Sequence, residues 1–474
     1  MSDVNLPEGW AKTKVIDIAD INPKKIDADP EVLSGFIPMS HAPTDFNGAL
    51  FFDEKPWGDI KKSYTNFKDN DVIVAKVTPC FENGKAAIVQ GLPNGIGAGS
   101  SEFYVIRPAN QEVSTRFLFS IVKSHKFLRE GAENMTGAVG LRRVPRAFVE
   151  NFGVPLPPLA EQKVIADKLD TLLAQVETTK ARLERIPNIL KTFRQSVLAA
   201  AVSGKLTEEW RSNTKTKTTL EFMDWKWGNI PSTWKVKLFP ELVDSRLGKM
   251  LDQAKNTGIP TKYIGNINVR WFSIDLNKTQ EILVSENEIK ELSLKIGDVL
   301  ICEGGEPGRC AIWDNDFDEP IVFQKALHRA RVKVEILPEW LTMNIKNDCD
   351  MLTMEQLFTG TTIKHLTGKA LKRYPIRVPP LEEQTQIVRR VEELFAFADA
   401  IEQKANAALE RVNNLTQSIL AKAFRGELTA DWRAANPELI TGENSADALL
   451  AKIKAEREAM KKQPKKKAAT RKIQ

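Results

Sequence analysis

Pro157-Pro158-Leu159-Ala160-Glu161-Gln162 (PPLAEQ) returns as Pro379-Pro380-Leu381-Glu382-Glu383-Gln384 (PPLEEQ), an offset of 222 residues taken from 157 to 379. The offset holds without a gap through Arg211 and Arg433. Gln195-Ser196 falls on Gln417-Ser418, and Gly204, Leu206, Thr207 and Trp210 fall on Gly426, Leu428, Thr429 and Trp432. A repeat this long with one period is the chain's first organising feature.

Each copy reads as a long helix with an apolar seam. In the second copy the seam is Ile387, Val391, Leu394, Ala398, Ile401, Ala405, Ala408, Val412, Leu415 and Ile419. The steps alternate four and three, a heptad pattern. The matching positions are Ile165, Leu169, Leu172, Val176, Thr179, Leu183, Ile186, Leu190, Phe193 and Val197, nine of the ten apolar. Such a seam needs a cover, and the other copy supplies one. Gly204 and Gly426 follow the last periodic residues as helix stops, and the paired prolines fix where each helix begins. Pro187 lies inside the first helix where the second has Leu409, which predicts a kink or two helices end to end.

Working outward, Leu6-Pro7-Glu8-Gly9-Trp10 is echoed by Ile230-Pro231-Ser232-Thr233-Trp234, so the duplication covers nearly the whole chain. Polar Ser212 to Asp224 reads as a linker. Asp71 to Val77 with Gly84 to Val89 reads as a strand pair, as does Gly297 to Cys302 with Cys310 to Trp313. More helical stretches follow near Thr115 to Glu130 and Pro338 to Leu357. Each unit then ends in Thr-Gly (Thr136-Gly137, Thr359-Gly360) and basic residues before the Pro-Pro element. The order globule, helix, globule, helix makes the helix pair antiparallel, with a pseudo-two-fold axis. The seam from Ile165 to Val197 is about 48 Å long at 1.5 Å per residue.

Composition bounds the rest. At 474 residues, 42% apolar and 27% charged, the chain has room for three or four domains of a soluble globular protein. No apolar run reaches 18 residues and the start is polar, so a cytoplasmic protein is expected. Cys80, Cys302, Cys310 and Cys349 form no CxxC pair and read as buried free thiols rather than a metal site or disulfide framework. Net charge is +6, but Lys452 to Gln474 carry ten Lys/Arg and two Glu, a net +8, which leaves −2 on the remaining 451 residues. A basic nucleic-acid surface in the body must therefore come from local clustering.

PPLAEQ and PPLEEQ, each heading a long helix behind a variable globule, resemble the specificity subunit of type I restriction–modification enzymes. The resemblance covers roughly residues 5 to 433. The runs EQKVIADKLDTLLAQVETTKAR and VNNLTQSILAKAFRGELTADWR resemble its K-type (type IA) branch. The fold class expected is α+β: two mixed α/β target-recognition domains with small twisted sheets, joined by two long antiparallel coiled-coil helices in a pseudo-two-fold duplicated arrangement. The expected domains are a first target-recognition domain (1–156), a central conserved helix (157–211), a second target-recognition domain (212–378), a distal conserved helix (379–433) and a tail (434–474). The resemblance implies a non-catalytic subunit that reads an asymmetric bipartite target in double-stranded DNA, with an unread spacer. It also implies two methylation subunits, which bind S-adenosylmethionine, and two motor-nuclease (restriction) subunits, which use ATP and magnesium. No cofactor is expected in this chain.

The repeat itself also suits two half-sites. Readers at the ends of a rigid spacer can reach half-sites about 34–36 Å apart, one helical turn. Direct readout uses Arg or Lys for guanine, Asn or Gln for adenine and carboxylates for cytosine. Loop candidates are Lys76, Glu82, Asn83, Lys85, Ser100, Ser101, Arg142 and Arg143 in the first unit. In the second they are Glu303, Glu306, Arg309, Gln324, Lys325, His328, Arg329, Thr361, Lys364 and His365. Each can equally be a solvated loop residue or a phosphate contact. Glu161, Lys168, Lys180, Arg182, Glu402, Lys404 and Arg411 read as charged outer helix faces, suited to partner docking or to solvent.

Other chemistry lacks its motif. Gly95-Ile96-Gly97-Ala98-Gly99 has a mis-spaced third glycine for a dinucleotide loop, and Gly304 to Gly308 lacks GK[ST] and reads as a hairpin turn. The histidines His41, His125, His328 and His365 are scattered, and no Asn-Pro-Pro-aromatic methyltransferase motif occurs. A coiled-coil scaffold with two protein-binding heads is the alternative; a self-sufficient nuclease or methyltransferase lacks its motifs. In the tail, Ser445 to Lys462 reads as an amphipathic helix using Ala448, Leu449, Ile453 and Met460, with Ser445 as N-cap. Lys461 to Lys472 reads as a disordered basic end with weak attraction for DNA.

Overall fold

The computed structural model describes residues 6–138, 140–211, 217–222, 225–252 and 254–462. Its contacts divide the chain into unit 1, Met1–Glu184 with Ala407–Gln474, and unit 2, Arg185–Asn406. Each unit holds one globule and parts of both long helices.

The central helix is Leu159–Val202 and the distal helix Leu381–Phe424, each of 44 residues. Pro187 sits inside one continuous helix, so the expectation of two helices end to end is corrected. Its fixed φ is helical, and the missing N–H costs one hydrogen bond on an exposed turn. In unit 1, Ile165, Leu169 and Leu173 share a core with Leu420 and Ala423. In unit 2, Val197, Leu198, Ala201 and Val202 share one with Ile387, Val388 and Val391. There Arg194 pairs with Asp399 and Glu402 (2.6 and 2.7 Å) while Arg390 donates to the Leu206 carbonyl. Rising numbers on one helix meet falling numbers on the other, so the pair is antiparallel.

Much of the seam is covered. Ile165, Leu169, Val176, Leu190, Ile387, Val391 and Val412 are buried, and Leu183, Leu394, Ile401 and Ile419 are half-buried. Two positions depart from expectation. Leu173 takes the buried place assigned to half-buried Leu172, because the inward steps there run four, four, three. Leu415 is 43% exposed.

Each globule is built around two larger sheets, with two-stranded ribbons beside them. In unit 1 an antiparallel sheet has the order Ala19–Ile21, Phe103–Pro108, Val72–Ala75, Ala86–Ile88. The second has the order Asp53–Pro56, Leu33–Ile37, Ile96–Gly99, Thr65–Lys68, with its middle pair parallel. Unit 2 repeats the plan. Val243–Leu247, Leu327–Val332, Val299–Cys302 and Cys310–Ile312 form the antiparallel sheet. Gln280–Val284, Ile259–Ile264 and Val322–Phe323 form the other, its last pair parallel. A bidentate Arg–Asp pair braces both antiparallel sheets: Arg107 on Asp71 and Arg331 on Asp298, every contact 2.7 Å. The ends of each globule also pair, Ala11–Lys14 with Gly153–Leu156 and Lys235–Leu238 with Pro375–Val378. The chain therefore leaves each globule straight into Pro-Pro and a helix.

The linker reading is corrected in part. Lys217–Phe222 and Trp225–Pro231 form an antiparallel hairpin whose Trp225, Trp227 and Ile230 are buried; residues 212–216, 223 and 224 lie outside the described residues. Cys302 and Cys310 are buried free thiols, whereas Cys80 and Cys349 are only half-buried. The tail helix is Ala446–Lys462, with Ser445 Oγ accepting from the Ala448 N–H at 3.3 Å. Its Leu449 and Ile453 enter the unit 1 core, while Met460 is exposed. The basic run from residue 463 onward lies outside the described residues.

The repeated Glu-Gln is the keystone of both units. Glu161 is buried and accepts from Trp10 Nε1 (2.7 Å), Thr429 Oγ1 (2.6 Å) and Arg433 (2.5 Å). Glu383 is equally buried and accepts from Trp234 Nε1 (3.0 Å), Thr207 Oγ1 (2.8 Å) and Arg211. The start of each long helix thus holds both the opening tryptophan of its globule and the segment that follows the other helix. Gln162 accepts from the Ser114 N–H and Gln384 from the Leu337 N–H, both at 2.9 Å. Gly204 and Gly426 end the helices with φ of +75° and +72°, and a Cβ there would strike Pro231 and Pro7. The placement of Glu161 on an outer, partner-facing surface is therefore corrected: its carboxylate is committed inward.

Candidate nucleic-acid interface

In each unit the parallel and antiparallel sheets deliver their loops to a common edge, and the same backbone bonds knit those loops. In unit 1, Ser100 N donates to the Ile37 carbonyl (3.1 Å), Lys76 N to Glu102 (2.9 Å) and Val144 N to Lys76 (2.8 Å). In unit 2, Gln324 N donates to Ile264 (3.0 Å), Glu303 N to Ala326 (2.9 Å) and Leu366 N to Glu303 (2.7 Å). The two sets superpose the units residue on residue: Ile37 on Ile264, Lys76 on Glu303, Ser100 on Gln324, Glu102 on Ala326 and Val144 on Leu366. Four segments therefore meet at each face. They are 38–44, 76–85, 100–102 and 136–138 with 140–143 in unit 1, and 265–272, 303–309, 324–326 and 359–365 in unit 2.

Most candidates of unit 1 fall together. Lys76 Nζ donates to the Ser101 carbonyl at 2.8 Å and lies 5.3 Å from the Tyr104 ring centre. Arg143 makes a bidentate pair with Glu102 (2.9 and 2.8 Å), and Arg142 reaches Glu82 at 3.1 Å. The Arg143 guanidinium, helped by Lys76, holds the Glu102 carboxyl below the usual carboxylate range. Lys85 Nζ donates to the Met39 carbonyl at 3.0 Å. Asn83 and Ser101 are exposed. The result is a cationic rim around a half-buried lysine, a surface suited to phosphate and base-edge acceptors.

Unit 2 presents a different set on the same frame. Arg309 donates to the Asn266 carbonyl (3.0 Å) and pairs with Glu306 (3.1 Å), while its enclosed Nε has no partner among the described residues. Glu306 also accepts from Trp271 Nε1 at 2.6 Å. Gln324 is half-buried; Lys325, Thr361 and His365 are exposed; Lys364 pairs with Glu355 at 2.7 Å. Half-buried Glu303 has no side-chain hydrogen bond or ion pair among the described residues.

Two candidates are corrected. His328 and Arg329 are 4% and 5% exposed. They lie on the strand Leu327–Val332, which is covered on both faces. His328 Nε2 meets the Leu366 carbonyl at 2.9 Å, and Arg329 donates to the Glu291 carbonyl at 3.0 Å. Burial pushes both pKa values down. Both side chains are buried inside the sheet, with Arg329 Nε left without a hydrogen-bond partner among the described residues.

The segments at 38–44 and 265–272 were missed by the sequence reading. Asn266 Nδ2 donates to the Gly304 carbonyl at 2.8 Å, Ile267 is exposed, and Trp271 carries Lys346 4.7 Å from its ring centre. The signal was the Gly-Asn-Ile-Asn turn, but its relation to Pro38–Thr44 appears only once the strands are aligned. The glycines of Gly95 to Gly99 serve strand packing. A Cβ at Gly97 or Gly99 would fall 2.5 and 2.2 Å from the Gly35 and Ile37 carbonyls of the parallel neighbour. Among the described residues no three His, Cys, Asp or Glu side chains converge as a metal-ligand set, and no helix is long and apolar enough to cross a membrane.

A chain built twice on one skeleton, with one frame and two sets of face residues, is a duplicated recognition protein. The family model for the Type I restriction modification DNA specificity domain matches it twice, at residues 7–188 and 231–411; the chain belongs to this family of type I restriction–modification specificity subunits, which recognise DNA sequence. The Type I restriction enzyme EcoKI specificity subunit of Escherichia coli (strain K12) is 36% identical over 478 residues, covering 97% of this chain and 98% of its own. The StySPI specificity subunit of Salmonella potsdam is 35% identical over 487 residues, covering 96% and 97%. The HsdS subunit of Thermoanaerobacter tengcongensis, 19% identical, shares the fold with a TM-score of 0.61 over 90% of this chain and 99% of that one.

Proposed function

We propose that the chain is the non-catalytic reader of a type I restriction–modification enzyme: unit 1 reads one short half of a duplex target, unit 2 reads a different half, and the bases between are unread. The observation that carries this is the pair of equivalent loop faces with unlike side chains, Lys76, Ser101 and Arg143 against Glu303, Lys325 and His365. One frame presents two chemistries, which suits an asymmetric target. The exposed faces of the two long helices, with Lys180, Arg182, Lys404 and Arg411, serve as docking ground for two methylation subunits. Two motor-nuclease subunits join that assembly. S-adenosylmethionine, ATP and magnesium act in those partners, and the whole works in the cytoplasm. The cationic rim supports phosphate contact, so binding weakens steeply with salt.

The test is a gel shift by the chain with its methylation subunits on duplexes carrying the target, either half scrambled, or the spacer scrambled. Scrambling either half abolishes selective binding, and scrambling the spacer at fixed length leaves it intact. Sequence-blind binding, or none at low salt, would refute the reading and favour a scaffold with protein-binding heads.

A further inference from the structure

The equivalence of Lys76 and Glu303 carries more than a shared frame. Each residue is the first beyond a central strand, Val72–Ala75 or Val299–Cys302. Each is gripped at both backbone groups by the same two neighbouring segments, so the side chain leaves from a fixed place. That place is the middle of the loop face, between the segments 100–102 and 141–143, or 324–326 and 359–365. The cations around it, Arg142, Arg143 and Lys364, have side chains 43%, 44% and 49% exposed and form the rim.

The two central groups have opposite charge and opposite hydrogen-bonding character. The Lys76 ammonium uses one of its three donors on the Ser101 carbonyl and keeps the others for acceptors. The Glu303 carboxylate can only accept, and it is half-buried with no protein donor among the described residues. The neighbours change in step. Glu102, paired with Arg143, is replaced by Ala326, Arg143 gives way to His365, and the other carboxylate of this face, Glu306, is taken up by Arg309 and Trp271. A half-buried carboxylate with no hydrogen-bond donor among the described residues, and with buried His328 as its electrostatic neighbour, suits a place where a ligand brings the donor.

We propose that Lys76 and Glu303 are specificity-determining residues of the two readers, an inference that rests on the reading of the chain as a two-part DNA reader. Lys76 selects a base whose groove edge offers acceptors, guanine through O6 and N7. Glu303 selects a base that offers an exocyclic amine, cytosine through N4 or adenine through N6. The two halves of the target therefore differ at equivalent positions because the protein inverts the polarity of one side chain.

The experiment is selection from randomised duplexes by the full chain with its methylation subunits, for the wild type and for Lys76→Gln, Lys76→Arg and Glu303→Gln. Retained co-purification and melting temperature establish that each variant is folded. Lys76→Gln loses on the order of ten- to a hundredfold discrimination at one base pair of one half, where the wild type takes guanine, and Lys76→Arg restores it. Glu303→Gln loses a similar factor at one base pair of the other half only. The wild-type base there, cytosine or adenine, tells which amine is read. Unchanged selection by folded variants overturns the proposal. So does a uniform loss over all sequences with a salt slope reduced by about 0.9, the mark of a phosphate contact. A wild-type complex that selects nothing overturns the two-part reading as well, which keeps the two failures apart.

Discussion

Glu161→Ala tests the clasp that joins the start of the central helix to the segment after the distal one. The carboxylate is fully buried and accepts from Trp10, Thr429 and Arg433. Its removal leaves the Arg433 guanidinium, itself 15% exposed, without its counter-charge, together with two orphaned donors. Breaking a buried pair from one side costs about 3–5 kcal/mol, much of it the desolvation of the charge left behind. For a unit of about 250 residues, 4 kcal/mol lowers the melting temperature by about 10 °C. Hydrogen–deuterium exchange on the full chain localises the effect: protection falls around residues 6–14 and 420–440 and is kept in residues 185–406. Glu383→Ala gives the reverse map. Pairing Glu161→Gln with Arg433→Met recovers at least about 1 kcal/mol over the sum of the single changes. A shift below about 2 °C, or exchange that opens unit 2 as much as unit 1, would refute the clasp.

Three further outcomes follow from buried groups. In unit 2, Tyr374 donates to Asp348 (2.8 Å), which also pairs with Arg377 (2.7 Å); Tyr374→Phe costs about 1–3 kcal/mol, read by chemical denaturation. Ile453→Ala in the tail helix costs about 2–5 kcal/mol and weakens unit 1 alone, read by exchange in the Ala11–Lys14 and Gly153–Leu156 strands. Lys123 is 5% exposed and donates to the Thr44 and Gly84 carbonyls (2.6 and 2.7 Å). Burial pushes its pKa down from 10.5 to about 8, against Asp45 and Glu177. Below pH 8 the folded chain carries the full cost of a charged buried ammonium. From pH 8 toward 10 the unfolded chain binds more protons, so unit 1 stability rises with pH. Titrating stability in Lys123→Met should show that rise gone; an unchanged profile would contradict the assignment.

The repeat was legible because its residues are locally patterned: heptad spacing, Pro-Pro starts and glycine stops are visible without coordinates. What the repeated Glu-Gln does was not legible, since Trp10, Glu161, Thr429 and Arg433 meet across more than four hundred residues. An acidic residue in a first helical turn reads by default as solvated. Leu172 and Leu415 were misplaced because a seam that starts in a globule drifts from strict heptad steps at its ends. His328 and Arg329 look like loop residues after Gln324-Lys325, yet they stand on a strand covered on both faces, where alternation vanishes. The polar Thr-Lys composition hid a hairpin, since its buried tryptophans, Trp225 and Trp227, sit on its second strand. The loop faces came half into view. Charged candidates could be listed, but only the backbone pairings show that Lys76 and Glu303 share a place, because the units differ by insertions that break the offset of the helices.

The most direct measurement is a map of methylated bases across a genome in cells that express this chain with the proposed methylation subunits, before and after exchange of residues 1–156 for those of a relative. One asymmetric sequence in two parts with a fixed gap, of which the exchange alters one part only, is the predicted result. A contiguous or symmetric sequence, or an exchange that alters both parts at once, would contradict two independent readers.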